Sequence, residues 1–192
     1  MWNLPNLLTL GRIAGLPVLL GLLFVHQPWA AWTCLALYTI AAITDFLDGY
    51  LARASNQITA IGRFLDPISD KIFVGCILIA LVAQGQLGGV WVIPALVIMS
   101  RELLISGLRE YLGPYNIQVP VSNMAKWKTT IQMFALGFLI VGDFGNVVLP
   151  HTLLIGQIGI SIAAVLTAST GWAYLKIGWQ HMVAQDSKPD SK

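Results

Sequence analysis

The chain has 192 residues, of which 56% are hydrophobic and only 10% charged, with 11 Lys or Arg against 9 Asp or Glu and a net charge of +2. Soluble domains carry about 25% charge, so with a mean hydropathy of +0.72 there is too little polar surface to cover a water-soluble globule. Long unbroken apolar runs in place of alternating segments exclude a membrane β-barrel, and the weak net charge without any basic tract excludes a nucleic-acid binder.

A bilayer core takes about 20 apolar residues per helix, and six windows of that length predict an all-α membrane protein with six transmembrane helices. The first window runs from Asn6 to Val25 and lacks a small-residue cleavage site, so it reads as a retained span. After the break His26-Gln27-Pro28 the second runs from Trp29 to Tyr50, and the third from Phe64 to Ala83. A glycine-rich turn, Gln84 to Gly89, leads to the fourth, Val90 to Leu112. Gly113, Pro114 and Pro120 mark a loop before the fifth, Met124 to Val141. The sixth, Leu153 to Leu175, follows a turn containing Gly142, Gly145 and Pro150. Residues 1–184 form one membrane domain, and Gln185 to Lys192 reads as a disordered polar tail. Cys34 and Cys76 sit inside apolar runs and read as free thiols.

Six spans place both termini on one side. The loops after spans one, three and five hold no Lys or Arg, and all 11 basic residues lie toward the opposite ends. By the positive-inside rule both termini are cytoplasmic.

An acidic side chain at mid-helix costs roughly 2.5 to 3.5 kcal/mol on insertion scales, so carboxylates within spans are candidates for function. Four acids fall close together: Asp45, Asp48, Asp66 and Asp70. Asp45, Asp48, Gly49 and Ala52 share one helix face, and Gly62, Asp66 and Asp70 recur every four residues on another. An Asp at a helix end is often only a cap or a solvated group, but four at these spacings are self-repelling unless a cation lies among them. All-oxygen ligation without nearby His or Cys points to Mg²⁺ or Mn²⁺, and shared carboxylates allow a two-metal site of the kind that assists phosphoryl transfer. The glycines leave room for a phosphate or nucleotide against backbone. Pro67 is compatible with a helix if Asp66 caps its first turn, and otherwise kinks the span.

Asp45-x2-Asp48-Gly49-x2-Ala52-Arg53, eight residues, then Gly62-x3-Asp66-x3-Asp70 resembles, position for position, the signature of the CDP-alcohol phosphatidyltransferase family. The resemblance implies a six-helix membrane enzyme, usually a homodimer, that moves a phosphatidyl group from CDP-diacylglycerol to an alcohol and releases CMP. It implies that Asp45, Asp48 and Asp66 bind metal, with Asp45 and Asp66 bridging two ions. Asp70 is implied as a ligand of the second metal and the general base. Gly49, Arg53 and Thr59 are implied to contact the CDP portion, with Ala52 and Gly62 giving it room. The opening Asn3-Leu-Pro5-Asn6-Leu-Leu-Thr9-Leu-Gly-Arg12 is similar to the family segment that closes over the nucleotide, although Asn6 and Thr9 could also simply cap the first helix.

The acceptor must be read outside the signature. Arg101 lies well inside its span, deeper than interface anchoring requires, and a buried arginine there needs an anionic partner, an aspartate or a substrate phosphate. Arg109, Lys126 and Lys128 lie nearby in sequence. Each has a bland reading, as an interface anchor for the lysines and a solvated helix end for Arg109. The strings R-E-L-L-I-S-G-L-R-E and K-W-K-T-T-I-Q-M resemble the segments of bacterial family members whose acceptor is sn-glycerol 3-phosphate. That implies acceptor binding by Arg101, Arg109, Lys126 and Lys128 in a bacterial inner membrane, with the site on the cytoplasmic side. The rival readings are inositol phosphate or serine as acceptor and, from another class, a divalent-metal transporter, which would place acids near mid-bilayer on several helices.

Overall fold

The computed structural model describes residues 4–54, 60–113 and 123–186; within them the side chains of 4–6, 46–54, 60–67, 123, 125, 126, 173, 177, 181 and 183–186 fall outside the description. The described residues fold into six long helices: α1 (Leu4–Leu23), α2 (Pro28–Ala54), α3 (Ala60–Ala83), α4 (Val92–Leu112), α5 (Asn123–Val141) and α6 (Thr152–Asp186). Gly89–Trp91 and Gly142–Val147 add short 3-10 turns before α4 and after α5. The predicted windows and the helices agree in number and order.

Three boundaries differ by four residues or more. No Gly or Pro interrupts the chain between Gly178 and Pro189, so α6 runs past the expected end at Leu175 to Asp186. Gln185 and Asp186, expected in a disordered tail, are therefore helical. At 35 residues α6 is about 52 Å long, well beyond a bilayer core of about 30 Å. α2 runs past the expected Tyr50 to Ala54, and α3 begins at Ala60, before the expected Phe64; Pro67 thus lies inside the helix, and Asp66 is not its cap.

Among the described residues three helical stretches are long and apolar enough to cross a membrane, Gly89–Leu112, Trp127–Val147 and Thr152–Gln180, and Leu7–Leu23 is a shorter apolar helix. Large apolar side chains face outward, among them Ile79, Leu103, Phe134, Val165 and Trp172, as a lipid-facing surface requires. The core is built from Leu19, Ile77, Leu81, Ile98, Leu136 and Ile160, each almost fully buried. Small residues let α6 close on its neighbours: a Cβ on Gly156 would meet Leu139 Cγ at 2.8 Å, and one on Gly159 would meet Ala135 Cβ at 2.9 Å.

The cation-free turns gather at one end of the bundle. Gln84 donates its side-chain amide to the Leu23 carbonyl, and Gln157 donates to the Gln86 carbonyl at 2.8 Å. Gly85 and Gly89 adopt φ of +80° and +58°, the left-handed region that glycine enters at no steric cost. The ends of α1 and α3 and the start of α6 are joined there, which leaves the charged segments toward the other end.

Both cysteines are free: Cys34 is buried, with Sγ 3.5 Å from the Leu19 carbonyl, and Cys76 is half-buried.

Candidate active site

Arg12 lies eleven residues before the end of α1, about 17 Å into the helix from its apolar end. It is 8% exposed, and a buried guanidinium at that depth needs anions. Two helices supply them. The same Nη1 donates to Asp45 Oδ1 on α2 and to Asp70 Oδ1 on α3, the latter at 3.0 Å. Both aspartates keep about half of their side-chain surface open, so Arg12 holds them from behind without covering them.

Across from this cluster α4 and α5 build its inverse. Lys128 on α5 and Arg101 on α4 both donate to Oε1 of Glu102, Arg101 at 3.3 Å. Arg101 also packs against α6. Its guanidinium lies 5.5 Å from the centre of the Tyr174 ring, and Nη2 reaches Thr170 Oγ1 at 3.4 Å. Arg109, two turns on, lies over the same ring at 5.9 Å. One wall is therefore a cation shared by two anions, and the other an anion shared by two cations. Lys71, next to Asp70 in sequence, also lines the cavity.

The two walls face one cavity of about 430 Å³, lined by Arg12, Asp45, Asp70, Lys71, Glu102, Lys128, Thr129 and Gln132, with Tyr38, Phe73, Met99 and Leu136 forming apolar parts. Tyr38 and Phe73 stack with centroids 6.1 Å apart and planes within 12°, and the Tyr38 hydroxyl donates to the Met133 carbonyl at 3.1 Å. Beside it lies a second, apolar cavity of about 600 Å³ between α2 and α5, lined by residues such as Leu35, Ile43, Phe134 and Phe138. Tyr38, Ala42 and Met133 line both. A polar head and an apolar chain of one amphiphile would find adjoining spaces here.

Of the expected metal-binding residues, Asp45 and Asp70 converge on one guanidinium nitrogen from different helices. The side chains of Asp48 and Asp66 lie outside the described residues, and among the described residues no three potential ligands come together. Half-open carboxylates presented by two helices suit a hard divalent cation. The expected CDP-binding residues Asn6, Gly49, Ala52, Arg53 and Gly62 have side chains outside the described set, and Thr59 lies outside it altogether. Thr9 is described, and is 2% exposed.

Of the four expected acceptor cations, Lys128 lines the cavity and Lys126 lies outside the described side chains. Arg101 and Arg109 are absent from the lining and gather on Tyr174 instead, because α4 turns that face toward α6. Arg101 does line a groove between α4 and α6 with Ser100, Ala168 and Gly171.

The family model for CDP-alcohol phosphatidyltransferases matches residues 2–171. The chain belongs to that family. It is 45% identical over 174 residues to a Rickettsia bellii protein named CDP-diacylglycerol--glycerol-3-phosphate 3-phosphatidyltransferase, covering 91% of this chain and 94% of the relative. A Rickettsia typhi protein of the same name is 44% identical over 92% of this chain and 97% of its own length. A rice protein named cardiolipin synthase (CMP-forming) is 34% identical over 93% of this chain and 58% of its own length.

Glu102 and Gln132, to which the sequence assigned no individual role, also line the cavity. Glu102, the hub of the positive wall, has a signal in the sequence: an acid beside an arginine within an apolar helix. Gln132 has only a weak one, four residues after Lys128 and so on the same face of α5.

Proposed function

We propose that the protein transfers the phosphatidyl group of CDP-diacylglycerol to sn-glycerol 3-phosphate, giving phosphatidylglycerophosphate and CMP in phospholipid biosynthesis. What carries the reading is identity of 44–45% over more than nine-tenths of the chain to proteins named for this reaction. The two charged walls of the cavity support it, since the reaction brings a diphosphate and a phosphorylated alcohol to one place. The enzyme works as a homodimer in the bacterial inner membrane, with six spans, both termini cytoplasmic and the cavity opening to the cytoplasm. The distribution of basic residues supports that orientation.

Asp45, Asp48, Asp66 and Asp70 are the residues that would hold one or two ions of Mg²⁺ or Mn²⁺. Bound there, the ions neutralise charge on the diphosphate. The acyl chains lie in lipid and along the apolar cavity, with the cytidine end toward Gly49, Ala52, Arg53, Thr59 and Gly62, and Asn6 and Thr9 of α1 closing over it. Lys128 takes the acceptor phosphate, with Lys126 beside it, and Arg101 acts through Glu102 by fixing the carboxylate that holds Lys128 in place. Arg109, on the Tyr174 ring, adds positive potential at longer range. Asp70 removes the proton from the C1 hydroxyl of glycerol 3-phosphate. That oxygen bonds to the phosphorus carrying diacylglycerol, and the bond from this phosphorus to the oxygen of the CMP phosphate breaks. Arg12 holds the Asp70 side chain in position for the transfer.

The test is CMP release by the purified enzyme in mixed micelles of CDP-diacylglycerol, offering glycerol 3-phosphate, inositol phosphate, serine or phosphatidylglycerol in turn. Release is expected with glycerol 3-phosphate, is lost on chelation and returns with Mg²⁺ or Mn²⁺. Faster release with another alcohol overturns the acceptor, and release indifferent to chelation overturns the metal. Ion flux without CMP release would favour a transporter.

A further inference from the structure

Gln132 is 6% exposed and lines the cavity from α5; its Oε1 is closed off from water and has no hydrogen-bond partner among the described residues, and a turn of the amide about its last side-chain bond would present it to the cavity. A buried amide oxygen left unpaired costs about 1–3 kcal/mol, so a glutamine persists in an otherwise apolar stretch of wall only if something satisfies it. It lies one helical turn, about 6 Å, deeper than Lys128, whose ammonium is at the Glu102 carboxylate. Met133, Leu136 and Met99 also line the cavity, and the Tyr38 hydroxyl is already committed to the Met133 carbonyl.

We propose that the side-chain amide of Gln132 recognises the free C2 hydroxyl of the acceptor and so makes the site specific for a glycerol phosphate over alcohols that lack that hydroxyl. The inference rests on glycerol 3-phosphate being the acceptor. With its phosphate on Lys128 and its C1 hydroxyl toward Asp70, the middle carbon would lie between the two, inside the cavity that Gln132 also lines. An amide oxygen suits a hydroxyl because it takes the hydroxyl proton. It does not suit a phosphate, which offers no proton, and an ester carbonyl of the lipid would call only on the amide N–H.

The experiment compares glycerol 3-phosphate with 3-hydroxypropyl phosphate, which keeps the primary hydroxyl and the phosphate but lacks the C2 hydroxyl. The wild-type enzyme should favour glycerol 3-phosphate by about 10- to 100-fold in kcat/KM, the value of one buried hydrogen bond left unmade. In Gln132→Met, nearly the same size, that preference should fall to within about threefold, through loss on glycerol 3-phosphate and not on the analogue, while KM for CDP-diacylglycerol stays put. Gln132→Leu repeats the measurement should the methionine variant not accumulate. A preference that survives in the variant, or a wild-type enzyme that uses both alcohols equally, overturns the role of Gln132 alone. A rise in KM for CDP-diacylglycerol with the preference intact also overturns it and moves Gln132 to the lipid ester. A wild-type enzyme that releases no CMP with glycerol 3-phosphate overturns the acceptor reading and this inference together.

Discussion

The two walls of the cavity are electrostatic opposites built by the same device. On one side a buried arginine sits between two half-open carboxylates; on the other a partly buried carboxylate sits between a lysine and an arginine. In each case the central charge lowers the cost of holding two like charges in an apolar surround. The central charges differ in sign, and under the proposed function that difference divides the labour: the Arg12 wall would serve metal and attacking hydroxyl, the Glu102 wall a phosphate. Substitutions in the outer members should therefore separate chemistry from acceptor binding.

Asp70 tests the first wall most severely. Asp70→Asn keeps the shape and an oxygen for Arg12 but removes the proposed base, and CMP release should fall about 10²- to 10⁴-fold. Binding of CDP-diacylglycerol should be partly retained, as read by equilibrium binding of the labelled lipid. Full turnover in this variant would remove Asp70 from the proton transfer.

On the second wall, Lys128→Met should act on the acceptor alone. Loss of a charge-assisted contact to phosphate corresponds to about 10- to 100-fold in kcat/KM for glycerol 3-phosphate, with KM for CDP-diacylglycerol within about twofold. Equal effects on both substrates would mean that the walls do not divide the substrates as argued.

The fold was legible because its signals are of long range along the chain: unbroken apolar runs of span length, punctuated by Gly and Pro, place all six helices. Asp45 and Asp70 were legible for a similar reason, since regular spacing puts each on a defined face. What the sequence did not disclose is which face of α4 meets which neighbour. Arg101 and Arg109 are eight residues apart and both cationic, so they suggested a single phosphate clamp. The close approach of α6 at Gly171 and the ring of Tyr174 draw both away from the cavity, and no local pattern announces that packing. Gln132 was inconspicuous because an uncharged amide is cheap enough in a helix to be read as incidental.

Arg12 tests whether the first wall is a device for holding like charges together. In Arg12→Gln, Asp45 and Asp70 lose their shared partner while keeping access to water, so the loss of stability should be about 1–2 kcal/mol, less than for a fully buried pair. The melting midpoint of the detergent-solubilised protein should drop by a few degrees under chelation, and added Mg²⁺ should restore more stability to the variant than to the wild type. A smaller effect of Mg²⁺ on the variant would show that arginine and metal do not serve the same carboxylates.

The smallest effect expected is at Gly171. A Cβ there would lie 2.9 Å from Arg101 Cγ and 3.4 Å from Nε, so Gly171→Ala must push the arginine stem off α6. The stem is flexible, and the cost should be only about 1 kcal/mol. If Arg101 positions Lys128 through Glu102, the push should raise KM for glycerol 3-phosphate about two- to threefold and leave KM for CDP-diacylglycerol unchanged. Arg101→Ala, which removes the contact outright, should raise it further but by less than Lys128→Met. The double variant is the decisive one. With no arginine to displace, Gly171→Ala should add nothing to Arg101→Ala, because two changes acting through one contact are not additive. Additive effects would place the influence of Gly171 in helix packing alone and cut the line from α6 through Arg101 to the positive wall.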